Sequence, residues 1–175
     1  MNTRRPHITT VLALAVALAV AGCSSAQPAS TAPASTAPSA SSAAPARPAS
    51  AAVLARQLAA AGLPVRHLIV YTATTDPNHE LGRQGGYTSK VAWADPRAAS
   101  QDAPDERGSI GLGGGIEAFP TATSAQARYE YLRGFGPPFG DGYDYPAGTA
   151  ILRLSQYLTP VQARAYRAAF TAAAG

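Results

Sequence analysis

The sequence predicts an α+β fold for residues 51–175: a two-layer domain with a mixed β-sheet of about four strands and helices on one face. Two observations lead to this prediction. Helical segments and β-branched segments follow one another in the order helix, three strands, helix, strand, helix. The segment also has about 125 residues, the size of one ordinary domain.

Three helices are predicted from their apolar positions and their end signals. The first runs from Ala51 to Gly62, where Gly62 and the following Pro64 end it. The second and third begin at Thr123 and Thr159, because each threonine is followed three residues later by a glutamine, as in a capping box. These segments supply the helical layer.

Four strands are predicted to form the sheet. Residues 65–72 are apolar and β-branched, which is typical of a strand buried on both faces. The other three lie at residues 87–94, 109–119 and 149–155. We expect the last two strands to be parallel and joined by a right-handed crossover through the second helix. The predicted core consists of Leu68, Val70, Val91, Trp93, Ile116, Leu152, Leu154, Val161 and Phe170.

Residues 1–22 have the composition of a secretory signal peptide. Arg4 and Arg5 precede an apolar run of about 14 residues, shorter than the roughly 20 that a membrane-spanning helix needs. The run ends in Val-Ala-Gly before Cys23, the single cysteine, and this motif resembles the bacterial lipobox. The resemblance implies that Cys23 is lipidated, with acyl chains such as palmitate, at the outer face of the cell membrane. An uncleaved anchor and a signal without lipid are the alternatives.

Residues 23–50 comprise the lipidated cysteine and a predicted disordered tether. Nearly all of residues 24–50 are Ala, Ser, Pro or Thr, which cannot bury enough apolar surface to offset the entropy of ordering. As a flexible coil this tether would span roughly 30 Å. It would hold the domain away from the lipid headgroups.

Charge and cysteine content exclude two classes of protein. The chain has 14 basic and 10 acidic residues, and loss of Arg4 and Arg5 with the signal peptide lowers its formal net charge from +4 to +2. The remaining arginines are dispersed, without the basic stripe that nucleic-acid binding needs, so we expect no DNA or RNA partner. With Cys23 lipidated no disulfide is available, and an ordinary core must stabilise the domain.

The patterns of common catalytic and metal sites are not found. Residues 76–80 offer oxygen ligands, but not at the spacing of an EF-hand loop. The glycines of residues 111–115 lead into a strand rather than a helix, so a close approach of strands explains them better than a phosphate site. We expect Glu117 and Arg153 to form an ion pair on neighbouring strands. We predict no cofactor, metal or catalytic residue, although carboxylates such as Glu117 and Asp144 keep an envelope hydrolase as the alternative.

The loop at residues 135–146 is the best candidate for a contact surface. It concentrates Phe135, Phe139, Tyr143 and Tyr145 among glycines and prolines. Aromatic side chains on a stiff loop make good anchors for a protein, peptide or sugar. The alternative is a lid, in which the rings fold back over the sheet.

A set of short motifs runs along residues 66–170. They are Tyr71-Thr72, Asp76-Pro77-Asn78, Leu81-Gly82-Arg83, Tyr87-Thr88-Ser89-Lys90, Ile116-Glu117, Phe119, Ala127-Arg128, Tyr145, Gly148, Leu152-Arg153-Leu154-Ser155, Leu158-Thr159-Pro160, Gln162-Ala163 and Tyr166. Together they resemble those of small secreted lipoproteins of Gram-positive, especially actinobacterial, bacteria. The resemblance implies a single extracytoplasmic domain without an assigned activity, and it directs attention to the surface around residues 76–90.

These observations predict a lipid-anchored extracytoplasmic binding module of the cell envelope, whose partner is an envelope protein, a peptide or a glycan. A purely structural envelope lipoprotein is a further alternative. The candidate binding residues are Asp76, Asn78, Arg83, Tyr87, Lys90, Phe135, Phe139, Tyr143 and Tyr145.

Overall fold

The structure is a computed structural model that describes residues 48–175 except residues 101, 105 and 136–141. Cys23 and Phe139 lie outside the described residues, as do the signal peptide and nearly all of the tether. The described residues belong to one compact unit with three α-helices and five strands. In chain order these are α1 (Ala51–Ala60), β1 (Arg66–Val70), β2 (Ser89–Ala94), β3 (Gly113–Ala118), α2 (Ala122–Arg133), β4 (Tyr143–Ala147), β5 (Ala150–Leu154) and α3 (Pro160–Ala174).

The strands form one sheet in the order β1-β2-β3-β5-β4, and every neighbouring pair is antiparallel. The predicted two-layer α+β class is confirmed, with five strands rather than about four. The expected mixed sheet and parallel crossover are wrong, because β3 and β5 pair antiparallel. From β3, α2 leads to β4, which runs parallel to β3 with β5 between them.

Strand β4 is the element that sequence reasoning missed. It lies within the segment that was expected to be a loop, and it contains Pro146, which cannot donate to a strand ladder. The sheet accommodates this proline because β4 is an edge strand. Because β4 comes between α2 and β5 along the chain, β5 runs opposite to the predicted direction. The crossover from β3 through α2 therefore leads to β4 rather than to β5.

The main core lies between one face of the sheet and the helices α1 and α3. Alternation along the strands points Val91, Trp93, Ile116, Leu152 and Leu154 to this face, where they pack with Leu54, Leu58, Tyr166 and Phe170. Of the predicted core residues, Leu68 is half-buried, while Val70 and Val161 are 56% and 67% exposed and were wrongly predicted. Val70 lies on the edge strand β1, and Val161 lies on the solvent side of the first turn of α3.

Helix α2 packs on the opposite face of the sheet. Its Ala125 lies in a second, smaller cluster with Tyr87, Phe119 and Ile151. The helices therefore do not all share one face: α1 and α3 form the main helical layer, and α2 covers part of the other side.

Strand β1 was predicted to be buried on both faces, and this is wrong because it is an edge strand. Its pairing with β2 is irregular between Arg66 and Ile69, where His67 has a φ of 50°. A bulge of this kind interrupts an otherwise open strand edge and discourages pairing with other chains.

The helix starts follow from capping side chains. The capping box of α3 is confirmed: Thr159 accepts a bond from the Gln162 N–H, and the Gln162 side chain accepts from the Thr159 N–H. For α2 the predicted start at Thr123 is wrong, because Thr121 is the N-cap and accepts from the Ser124 N–H at 3.1 Å. A threonine two residues earlier thus fills the same role.

Candidate binding groove

Asp76 holds the segment of residues 72–88 against the sheet. Its side chain is buried, and Tyr87 and Lys90 both lie beneath the segment rather than at its surface. The carboxylate accepts backbone N–H bonds from Asn78, Glu80 and Leu81, a bond from the Tyr87 hydroxyl at 2.5 Å and one from Lys90 Nζ at 2.8 Å. A single side chain therefore fixes a segment that has no regular secondary structure of its own.

The electrostatics of this cluster favour an ionised Asp76. Burial alone would raise the pKa of Asp76, but the hydrogen bonds from Lys90, Tyr87 and the Glu80 N–H outweigh it and hold the pKa below its ordinary value. Burial and the bond to Asp76 raise the pKa of the Tyr87 phenol. The Lys90 ammonium also lies 5.0 Å from the ring centre of Tyr71 and 5.4 Å from that of Tyr87.

A second charged cluster is centred on Glu117, whose side chain is 2% exposed. Arg128 from α2 donates to it through Nε at 2.9 Å and Nη2 at 3.3 Å. Arg153 from β5 lies 3.8 Å from Glu117 and donates through Nε to Asp144 of β4 at 3.2 Å. The expected pairing of Glu117 with Arg153 on neighbouring strands is confirmed, and Arg128 is the closer partner.

Between the segment of residues 78–85 and α2 lies a groove. Two open clefts of about 690 and 530 Å³ lie next to each other and share Glu80, Arg128 and Tyr131; together they are here named the α2 groove. Its lining residues are Asn78, Glu80, Gly85, Thr123, Ser124, Ala127, Arg128, Tyr131, Leu132, Phe135 and Arg153. This size is typical of pockets that bind small molecules or short segments of a polymer.

Two aromatic side chains line the α2 groove. Tyr131 and Phe135 are 58% and 48% exposed, and their rings meet edge to face with centres 4.8 Å apart. The Arg128 guanidinium lies 5.3 Å from the centre of the Tyr131 ring and at the same time binds Glu117. The groove thus combines two exposed aromatic rings with an arginine, Arg128, whose position is fixed by the buried Glu117 carboxylate.

The structure brings together part of both predicted contact surfaces. Asn78, from the first surface, and Phe135, from the second, line the same groove. Arg83 is exposed in the turn beside it. Asp76, Tyr87 and Lys90 are buried and engaged with one another, so we assign them to holding the segment.

Tyr143 and Tyr145 do not join Phe135, in contrast to the predicted aromatic loop. They lie on β4 and pack against the main core, where their rings stack with centres 6.3 Å apart. The Tyr143 hydroxyl donates to the Leu158 carbonyl at 3.1 Å, and Arg167 of α3 lies over Tyr145. For these two rings the alternative of folding back over the sheet describes the structure better.

Sequence reasoning missed the contribution of α2 to the groove. Arg128, Tyr131, Leu132 and Phe135 are spaced three or four residues apart, so they lie along one side of the helix and its C-terminal end. This stripe of large side chains was the available signal. It was hidden because the residues divide between a segment expected to be a helix and one expected to be a loop.

Comparisons with models of protein families, with curated proteins and with solved structures return no match. The function of the α2 groove is therefore argued from its geometry and chemistry.

Proposed function

We propose that this chain is an extracytoplasmic binding module that is held at the outer face of the cell membrane by lipid on Cys23, and that it binds its partner in the α2 groove. The observation that supports the proposal is that Asn78 and Phe135 line the same groove. These residues come from two segments that sequence reasoning had selected independently as contact surfaces.

The groove is suited to binding because its walls are pre-organised. Asp76 fixes the wall formed by residues 78–81 through three backbone bonds, and Glu117 fixes Arg128 in the opposite wall. A rigid site loses less conformational entropy when it binds than a mobile one does. The two exposed rings supply the apolar contact area that dominates most binding sites.

An affinity pull-down from a Gram-positive envelope extract tests the proposal. The chain from residue 24 onward is immobilised through its N-terminus, beside a Tyr131→Ala/Phe135→Ala variant and a Val161→Ala control on the exposed side of α3. We expect a partner that the unchanged chain and the Val161 control retain and that the double variant loses. Equal retention by all three proteins, or by none, counts against binding in the groove.

An envelope hydrolase that uses Glu117 and Asp144 is the second candidate, and the geometry supports it less. Arg128 already engages both oxygens of Glu117, and Arg153 engages Asp144. These contacts describe an ion-pair network that shapes the groove, whereas a catalytic pair needs a carboxyl group with access to substrate. If Glu117→Gln abolished hydrolysis of a wall fragment by the folded chain, this second candidate would replace the first.

A further inference from the structure

We infer that the α2 groove takes an uncharged oligosaccharide, an inference that rests on the proposed binding function and names its ligand class. Three features support it: the charge balance of the groove, the mixture of hydrogen-bonding groups along it, and the exposed rings of Tyr131 and Phe135.

The two arginines that line the α2 groove are compensated within the protein. Arg128 is paired with Glu117, and Arg153 is paired with Asp144, so neither guanidinium needs a ligand anion. Glu80 lines the same groove without an ion-pair partner among the described residues, and the exposed Arg83 beside the groove carries the opposite charge. Charge complementarity therefore favours neither an anionic nor a cationic ligand, and a neutral ligand fits best.

The polar groups of the groove differ in what they donate and accept. Arginine only donates, a glutamate carboxylate only accepts, and the amide of Asn78 and the hydroxyls of Thr123 and Ser124 do both. A ligand hydroxyl both donates and accepts, so a chain of hydroxyl groups can satisfy all of these side chains in turn. A ligand that only donates or only accepts hydrogen bonds cannot satisfy all of them.

The aromatic side chains of the groove supply the apolar contact that a sugar ring needs in addition to hydrogen bonds. The face of a pyranose carries C–H groups, and it packs on the flat side of an exposed aromatic ring. Tyr131 and Phe135 are 58% and 48% exposed, so they offer aromatic surface beside the polar part of the groove, while the Arg128 guanidinium lies 5.3 Å from the centre of the Tyr131 ring. The two clefts together give room for more than one sugar unit.

A peptide fits the groove less well. Strand addition needs an open sheet edge, and the edges of this sheet are β1 and β4, whereas the strand residue in the groove is Arg153 of the inner strand β5. Recognition of an extended proline-rich peptide needs a row of aromatic residues, and the described lining of the groove has two, Tyr131 and Phe135.

Isothermal titration of the chain from residue 24 onward tests the ligand class. The probes are chitotetraose, cellotetraose and mannotetraose, titrated into the unchanged chain, the Tyr131→Ala/Phe135→Ala variant and the Val161→Ala control. We expect at least one probe to bind, with affinity about tenfold weaker in the double variant and unchanged in the control. The affinity of a neutral ligand should also change less than about twofold between low and high salt.

The envelope pull-down separates failure of this inference from failure of the proposed function. The extract is divided and treated with periodate, which cleaves vicinal diols, or with protease. Groove-dependent retention that is lost after periodate and survives protease supports an oligosaccharide with vicinal diols. A chitin-type chain has no vicinal diol in its internal units, so it is identified by retention that survives both treatments and is competed by chitotetraose. Retention that survives periodate and is lost after protease overturns the oligosaccharide and leaves the binding function standing. Absence of groove-dependent retention in the untreated extract overturns both, and binding of none of the three probes overturns the ligand class.

Discussion

At the scale of single residues, Asp76 ties a segment without regular secondary structure to the sheet. It accepts five hydrogen bonds while it is only 1% exposed, and the donors come from both ends of the segment of residues 76–90. The contacts of Asp76 thus join the wall of the α2 groove to the inner strand β2. Its sequence context, Asp-Pro-Asn, did not indicate this depth of burial.

Replacement of Asp76 by asparagine is expected to destabilise the domain by about 3 kcal/mol, because it leaves the Lys90 ammonium buried without its counter-ion. The control is Arg133→Gln, which removes an ion pair with Glu130 at 3.9 Å whose side chains are both exposed, at a cost of about 0.5 kcal/mol or less. Urea unfolding followed by circular dichroism measures both. Equal midpoints for the two variants would contradict the role assigned to Asp76.

Stability is expected to fall in acid partly because of the same carboxylate. The pKa of Asp76 in the folded protein lies below its ordinary value of 3.8, so its contribution is present above that value and is lost as the pH falls below it. The pKa of Asp95 is shifted in the same direction, since bonds from Arg97 and Tyr166 outweigh its burial. Urea unfolding from pH 7 to pH 3 should therefore show a steep loss below about pH 4 that Asp76→Asn reduces but does not abolish. An unchanged pH profile in the variant would exclude this cause.

At the scale of secondary-structure elements, the strands and helices with strong local signals were predictable. The capping box at Thr159 located α3, and the strands predicted at residues 87–94 and 109–119 contain β2 and β3. Strand β4 was not predictable from local signals, because Tyr143–Ala147 contains a proline and is stabilised by pairing with β5. The edge position of β1 was likewise invisible, since an apolar run reads the same at the edge and in the centre of a sheet.

The candidate site was predictable only in part, for a similar reason. Asn78 and Phe135 could be selected from composition, but their meeting depends on the packing of α2 against the sheet. The pairing of Arg128 with Glu117 joins two elements whose relative placement no local pattern encodes. Contacts between elements, rather than the elements themselves, were the part that required the structure.

The glycine cluster before and within β3 reflects close packing, as the sequence suggested. A methyl group added at Gly115 would lie 2.7 Å from both Ile110 Cδ1 and the Val91 carbonyl oxygen. We therefore expect Gly115→Ala to destabilise the domain by about 1–3 kcal/mol through overpacking.

Gly134→Ala is the matched control, because Gly134 has helical angles, φ −66° and ψ −20°, at the end of α2. There the added methyl group would lie 3.2 Å from the Tyr131 carbonyl oxygen, a contact that a small shift relieves. The lower entropy of the unfolded chain offsets this cost, so we expect a change in stability of about 0.5 kcal/mol or less. Thermal unfolding compares the two variants. A lower midpoint for Gly134→Ala than for Gly115→Ala would refute the packing explanation.

At the scale of the whole molecule, the sheet separates two different surfaces. One face is covered by α1 and α3 and forms the main core, and the other face carries α2, the Glu117 cluster and the groove. Among the described residues, every helix is too short or too polar to cross a bilayer.

Replacement of Cys23 by alanine is expected to release the protein from the membrane fraction, because no acyl chains are then attached. Each buried methylene of such a chain contributes about 0.8 kcal/mol to membrane binding. Fractionation of cells that express the unchanged and variant chains, followed by immunoblotting, measures the distribution. If the variant stays in the membrane fraction after a high-salt wash, residues 8–21 act as an uncleaved anchor instead.

Photo-crosslinking on cells tests most directly whether the α2 groove is the contact surface of the anchored protein. A photoreactive amino acid is placed at Phe135, inside the groove, and in a second strain at Val161, on the exposed side of α3. We expect a discrete adduct from position 135 and none from position 161. An adduct from position 161 alone, or the same adducts from both positions, would contradict a binding function for the groove.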